Sequence, residues 1–150
     1  MSRLILTPAQ AEAKLRRMAC KILEDHYDLE RVALVAVGNH GLSIGRRLLS
    51  YAEGFCPGKL TLETDLSQIR IAHRCLVLAD GVLFTGETMR RALARMNDFE
   101  PLCVKIAVLI DRGHARWPLR ADYVGLHLAT TLHQYVRIEN DGENYRVFLD

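Results

Sequence analysis

The sequence predicts an α/β fold: a mostly parallel sheet flanked by helices, with a C-terminal β-hairpin. Three observations carry that expectation. Continuous apolar runs of strand length, "RVALVAVG" at 31–38, "CLVLAD" at 75–80 and "VKIAVLID" at 104–111, have the pattern of strands covered on both faces. Helical patterns separate them, and strands alternating with helices call for parallel pairing through right-handed crossovers. The tail from Gln134 to Asp150 differs, because two alternating runs flank Asp141-Gly142, which is a hairpin signal.

Taken in order, Thr7-Pro8-Ala9-Gln10 supplies an N-cap, a proline at the first helical position and a glutamine at the third. This is the signature of a capping box. Ala11, Leu15, Met18, Ala19, Ile22 and Leu23 then recur at helical spacing and predict a helix of about five turns. The run at 31–38 leads into Asn39-His40-Gly41 and a second helical pattern through "LSIGRRLLSYAEG". "KLTLETD" at 59–65 alternates weakly as a strand. After the run at 75–80, Thr85 to Met96 reads as a helix, and the run at 104–111 is followed by a loop and a further strand, "DYVGLHL", at 122–128. No repeat, low-complexity tract or linker interrupts the chain, so a single domain over 1–150 is expected.

Composition narrows the function. The 20 Lys+Arg against 18 Asp+Glu leave a net charge of +2, which excludes nucleic-acid binding through bulk charge and confines any polyanion site to a local patch. Cys20, Cys56, Cys75 and Cys103 form no C-x-x-C pair and no zinc spacing with histidine, so no metal site is expected. Cys75 and Cys103 open apolar runs and read as small core residues. The first ten residues hold only a short apolar stretch before Pro8, so neither a signal peptide nor a membrane anchor is expected, and the expected location is the cytoplasm.

In an open parallel sheet, ligands collect where strand C-termini meet the following loops and helix N-termini. Residues 80–88, "DGVLFTGET", sit at such a place. A glycine between hydroxyl residues at the mouth of a helix lets main-chain amides and the hydroxyls of Thr85 and Thr88 converge on one phosphate. Asp80, at the end of the preceding strand, can accept hydrogen bonds from sugar hydroxyls. The same residues have a plainer reading, in which Thr85 caps a helix and Gly86 permits a tight turn. Residue types alone leave both open.

The string "CLVLADGVLFTGETMRRAL" at 75–93 resembles the phosphoribosyl-pyrophosphate (PRPP) loop of type I phosphoribosyltransferases, and "AVLIDRGHARWPLRADYVG" at 107–125 resembles the PyrR family. That family comprises pyrimidine-operon attenuators that also act as uracil phosphoribosyltransferases. The resemblance extends over nearly the whole chain and implies a type I phosphoribosyltransferase-like fold. It implies that Asp80 contacts ribose hydroxyls, that Thr85, Gly86, Glu87 and Thr88 hold the 5′-phosphate, and that Asn39, His40 and Gly41 occupy the pyrophosphate-loop position. It places the main chain of Asp122, Tyr123 and Val124 beside the base, and Arg17, His114 and Arg120 on an RNA-facing surface. The implied partners are a nucleotide or phosphoribosyl ligand, a second copy of the chain and RNA, with magnesium only if PRPP is bound. His114 also reads as an ordinary loop histidine. Trp117 reads as a packing residue or part of a subunit contact. Arg46, Arg47, Arg90, Arg91 and Arg95 read as solvated helix faces.

The departures from the family pattern lower the expected activity. The second acidic residue of the PRPP motif is Gly81 here, and the arginine of the pyrophosphate loop is His40, which exchanges a permanent guanidinium for an imidazole. Glu87 stands where relatives have a basic or neutral residue; turned inward, its carboxylate would repel phosphate. The long loop that folds over the site in relatives is reduced to "GKLTLETDLSQIRIAHR", which removes a device for excluding water. A protein that binds a phosphoribosyl compound with impaired or lost transfer is therefore expected. Which residues would be catalytic is left open.

Overall fold

Apolar side chains on both faces of the central strands require a covering layer on each side. The computed structural model, which describes residues 1–65, 74–96 and 100–150, supplies both. Strands β1 (Arg3–Leu6), β2 (Val32–Ala36), β3 (Thr61–Glu63), β4 (Cys75–Leu83), β5 (Cys103–Asp111), β6 (Tyr123–His127), β7 (Val136–Asn140) and β8 (Tyr145–Leu149) are joined by helices α1 (Pro8–Asp25), α2 (Gly41–Phe55) and α3 (Glu87–Ala94). Strands β3-β2-β4-β5-β6, in that spatial order, form a parallel sheet. Val32, Leu34, Val77 and Ala79 pack toward α1 and α2, whereas Ala33, Val35, Leu76 and Leu78 join Met89 and Ala92 of α3 in a second core.

The capping box of α1 forms as expected: Gln10 N donates to Thr7 Oγ1 at 3.2 Å and Thr7 N donates to Gln10 Oε1 at 2.9 Å. The C-terminal hairpin also forms, with Asp141 Oδ1 accepting from the amides of Glu143 and Asn144. The hairpin does not stand alone. β1 pairs with β8, so the order β1-β8-β7 makes a small antiparallel sheet whose Val136, Ile138, Tyr145 and Val147 enter the same core as α1 and α2. β1 left little trace in the sequence, because only Leu6 of its four residues is buried.

Two boundaries shift in ways that shape the site. The expected helix at 85–96 begins at Glu87 and ends at Ala94, because Gly86 takes the left-handed conformation at φ +85° and leaves Thr85 in the loop. β4 continues past Asp80 to Leu83, pairing with β5 up to Asp111. Its neighbour β2 stops opposite Ala79, so β4 overhangs it. The chain leaves β2 toward β3 on one side and β4 lies on the other, so the topological switch point falls where the loop after β2 faces that overhang. The segment 66–73 within the shortened loop lies outside the described residues. Among those described, no helix is long and apolar enough to cross a membrane.

Candidate functional site

The overhang brings Asp80 against the loop that follows β2. Gly38, at φ +72°, lets the backbone pass so close that a Cβ there would meet Asp80 Oδ2 at 2.3 Å. Asp80 is only 7% exposed, and its Oδ1 accepts from the Gly81 amide at 2.6 Å. Burial pushes its pKa above the ordinary carboxylate value, while the amides of Gly81 and His40 and the His40 ring pull partly the other way. The carboxyl borders a cleft of about 740 Å³ lined by Gly38, Asn39, His40, Val82, Phe84, Thr88 and Arg112, with residues 132–136 as its far wall.

That far wall is held by a residue the sequence analysis passed over. Arg112, 4% exposed, lays its guanidinium on the Phe84 ring at 3.8 Å and donates to Thr130 Oγ1 at 2.8 Å and to the carbonyls of Thr131 and Gln134 at 3.0 and 2.7 Å. A guanidinium keeps its charge when buried, and its planar fork suits several acceptors at once. The signal was the basic residue directly after an apolar strand in "LIDRGH", but nothing in the sequence says which carbonyls it meets. His114 reinforces the wall, with Nε2 on the Thr130 carbonyl and its ring edge-on to Phe84 at 5.7 Å.

The loop at 85–88 combines the two readings left open by the residues. Thr85 Oγ1 accepts from the Glu87 amide at 3.3 Å, and Gly86 caps α3 without a side-chain bond. The first-turn amides of α3 have no intrahelical acceptors, and Thr88 lines the cleft. Glu87 turns outward. Its carboxylate accepts a two-point fork from Arg90 at 3.0 and 2.6 Å, a bond from Arg91 at 3.3 Å and one from Trp117 Nε1 at 3.0 Å. The Arg90 hydrogen bonds, aided by Trp117, hold its pKa down at about 2. The segment carrying Trp117 braces the loop further, because the Arg116 amide donates to the Thr85 carbonyl at 2.7 Å and a Cβ on Gly86 would meet Leu119 Cδ1 at 3.2 Å. The feared repulsion at Glu87 is thus replaced by a clamp on the outside of the loop.

Asn39 and His40 reach the cleft beside Asp80, and Gly41 starts α2 so near β4 that a Cβ would meet the Ala79 carbonyl at 2.7 Å. At Gly81 a Cβ would meet Ile138 Cδ1 at 2.6 Å and His40 Cβ at 2.8 Å. Ile138 of the small sheet and His40 of the loop after β2 thus crowd this position. Asp122, Tyr123 and Val124, expected beside the base, do not line this cleft. Val124 is level with Asp80 but two strands away, and Tyr123 is buried with its hydroxyl on His26 and Lys105. Arg17 donates to the Gly125 carbonyl at 3.1 Å from the α1 side, whereas Arg120 is exposed between Leu119 and Ala121, which pack on the α3 side. With the His114 ring turned onto Thr130, the three residues expected on one RNA-facing surface have separate surroundings.

The model of the phosphoribosyl transferase domain matches residues 57–137, which include β4, the 85–88 loop and Arg112. A protein of Elusimicrobium minutum named "Bifunctional protein PyrR" is 36% identical, with 96% of this chain and 94% of that protein covered. The chain belongs to the PyrR family. A PyrR of Deinococcus radiodurans is 34% identical over 92% of this chain and 89% of its own length. The first of these alignments spans 169 positions against the 150 residues of this PyrR-family chain, so that relative carries residues this chain lacks. Among solved structures, hypoxanthine phosphoribosyltransferase from Trypanosoma cruzi in complex with IMP aligns with a TM-score of 0.71 at 17% identity, covering 83% of this chain and 75% of that one. A hypoxanthine-guanine phosphoribosyltransferase from Bacillus anthracis reaches 0.73 at 15% identity, covering 89% and 86%. These two show the shared type I phosphoribosyltransferase fold.

The donors of this PyrR-family chain do not fit a resident magnesium ion. A hard cation needs several oxygen ligands. Among the described residues the cleft offers one carboxyl, Asp80, which is buried and bonded to a main-chain amide, and its neighbour is Gly81. Among the described residues, no group of three or more His, Cys, Asp or Glu can hold a metal.

Proposed function

We propose that this PyrR-family protein holds a phosphoribosyl compound or nucleotide in the cleft between Asp80, the 85–88 loop and residues 132–136, and that it transfers phosphoribose slowly or not at all, in a regulatory role. The observation that carries the reading is Gly81. A side chain there would crowd Ile138 Cδ1 at 2.6 Å and His40 Cβ at 2.8 Å, which supports a site arranged around a glycine where the family pattern has a second sugar- or metal-directed carboxylate. The phosphate role of the 85–88 loop is supported by the first turn of α3 beside Thr88, with Thr85 at the turn and the Glu87 carboxylate held away by Arg90. A neighbouring cavity of about 570 Å³ shares Gly38 and Thr88 with the cleft and carries Arg91 and Arg95, which favours a ligand with a second anionic group. In this reading Asp80 accepts from the ribose hydroxyls, Asn39, His40 and Gly41 face the diphosphate end, and the base lies toward Phe84 and residues 132–136 rather than toward 122–124.

An active uracil or other-base transferase is the second reading. The retained Asp80, the phosphate loop and relatives named as bifunctional PyrR proteins favour it. RNA recognition would rest on Arg120, which is exposed and, unlike Arg17 and His114, has no described internal bond. Symmetric pairing with a second copy follows the low net charge, and sedimentation over a range of concentrations tests it. The ligand reading is tested by calorimetric titration with PRPP and with uridine monophosphate. Both should bind the native chain, and Thr88→Leu should weaken both; equal affinity in the variant would remove the 85–88 loop from the site.

A further inference from the structure

Cys75 and Cys103 are 28 residues apart in sequence, yet they open the adjacent strands β4 and β5 as in-register partners. In a parallel ladder, such partners project to one face from strands about 4.8 Å apart, inside the Cα range of about 4.4–6.8 Å that a disulfide spans. Both residues are half-buried rather than sealed in the core, which alters the expectation of plain core residues. Cys75 packs against the core from its margin, and Lys105 follows Cys103 on the same face of β5, its ammonium 3.5 Å from the Tyr123 hydroxyl. The group occupies the N-terminal edge of the sheet, whereas the cleft lies at the C-terminal edge.

We propose that Cys75 and Cys103 form a redox-active dithiol that closes to an intrachain disulfide and reopens. With a low-molecular-weight disulfide as oxidant, the Cys75 thiolate attacks one of its sulfurs, forms a mixed disulfide and releases one thiol. Cys103 then gives its proton to solvent and attacks the Cys75 sulfur, forming the bond between the strands and releasing the second thiol. The two cysteines lose two electrons and two protons, and the oxidant gains them. Burial pushes the Cys103 thiol up to about 11, which keeps its thiolate fraction small at neutral pH. A disulfide sets its Cβ atoms about 3.8 Å apart, closer than an undistorted parallel ladder, so closure draws the two strand starts together and stores strain. Strained disulfides are the readily reduced ones, which suits a bond that reopens.

The inference rests on no part of the ligand reading. The folded native chain is incubated with oxidised glutathione, alkylated and mapped by peptide mass. A bond joining the Cys75 and Cys103 peptides, reversed by dithiothreitol, with Cys20 and Cys56 still alkylated, is the expected result. Cys75→Ser and Cys103→Ser should each abolish that bond, and Cys103→Ser should leave a glutathione adduct on Cys75. Four alkylated cysteines in the native chain, or glutathione adducts without the Cys75–Cys103 bond, would overturn it.

Discussion

Restoring the acidic residue that the family pattern carries at position 81 should damage the protein rather than repair it. In Gly81→Asp the new Cβ would stand 2.6 Å from Ile138 Cδ1 and 2.8 Å from His40 Cβ. The Ile138 methyl can rotate away, but His40 Cβ is fixed to its backbone, so the 38–41 loop has to move. Overpacking of this kind costs about 1–3 kcal/mol, and a carboxyl buried beside Asp80 without a cationic partner adds roughly 2 kcal/mol more. For a chain of this length each kcal/mol shifts Tm by about 2–4 °C, so a fall of roughly 6–20 °C is expected. Gly81→Ala isolates the steric part and should lose roughly 2–12 °C. Thermal melts at neutral pH, run beside a phosphoribosyl-transfer assay, read both effects. Gly81→Asp melting within about 2 °C of the native chain and gaining transfer would refute the packing argument.

Asp80→Asn separates stability from binding. The folded pKa of Asp80 is raised, so the native state holds its proton longer than the unfolded chain and stability falls as pH rises from 3.8 toward that raised value. The asparagine variant should therefore melt higher at neutral pH, show no such gain below pH 3.8, and bind PRPP roughly tenfold or more weakly through lost charged hydrogen bonds. Trp117 is the sole tryptophan and donates to Glu87, whose folded pKa is depressed to about 2; the pairing is present above pH 4.5 and lost as pH falls through 2. Its fluorescence should change with a midpoint near 2 rather than 4.5, and Glu87→Gln should erase that transition. Arg112→Met leaves the Thr131 and Gln134 carbonyls without their donor and should cost roughly 2–5 kcal/mol, with faster hydrogen exchange confined first to residues 130–136.

The parallel sheet was legible because buried central strands write themselves as unbroken apolar runs, and the capping box and Asp141-Gly142 turn specify their own geometry locally. β1 was not, since four mostly exposed residues acquire a strand only by meeting β8 from the far end of the chain. In the site, Asp80 and the 85–88 loop could be placed because strand, turn and helix are consecutive there. Arg112, the Glu87–Trp117 clamp and the Ile138 contact with Gly81 are tertiary, joining segments 18 to 57 residues apart. A motif string does not tell how far across a sheet its strand lies, and residues 122–124 sit two strands from Asp80.

The central claim is a phosphoribosyl site that has outlived its transferase chemistry. It is tested most directly by measuring, on one preparation, PRPP binding by calorimetry and turnover of PRPP with magnesium and each nucleobase in turn. Saturable binding with phosphoribosyl transfer at or near the rate without protein is the predicted result. Robust transfer to any base by the native chain would contradict it.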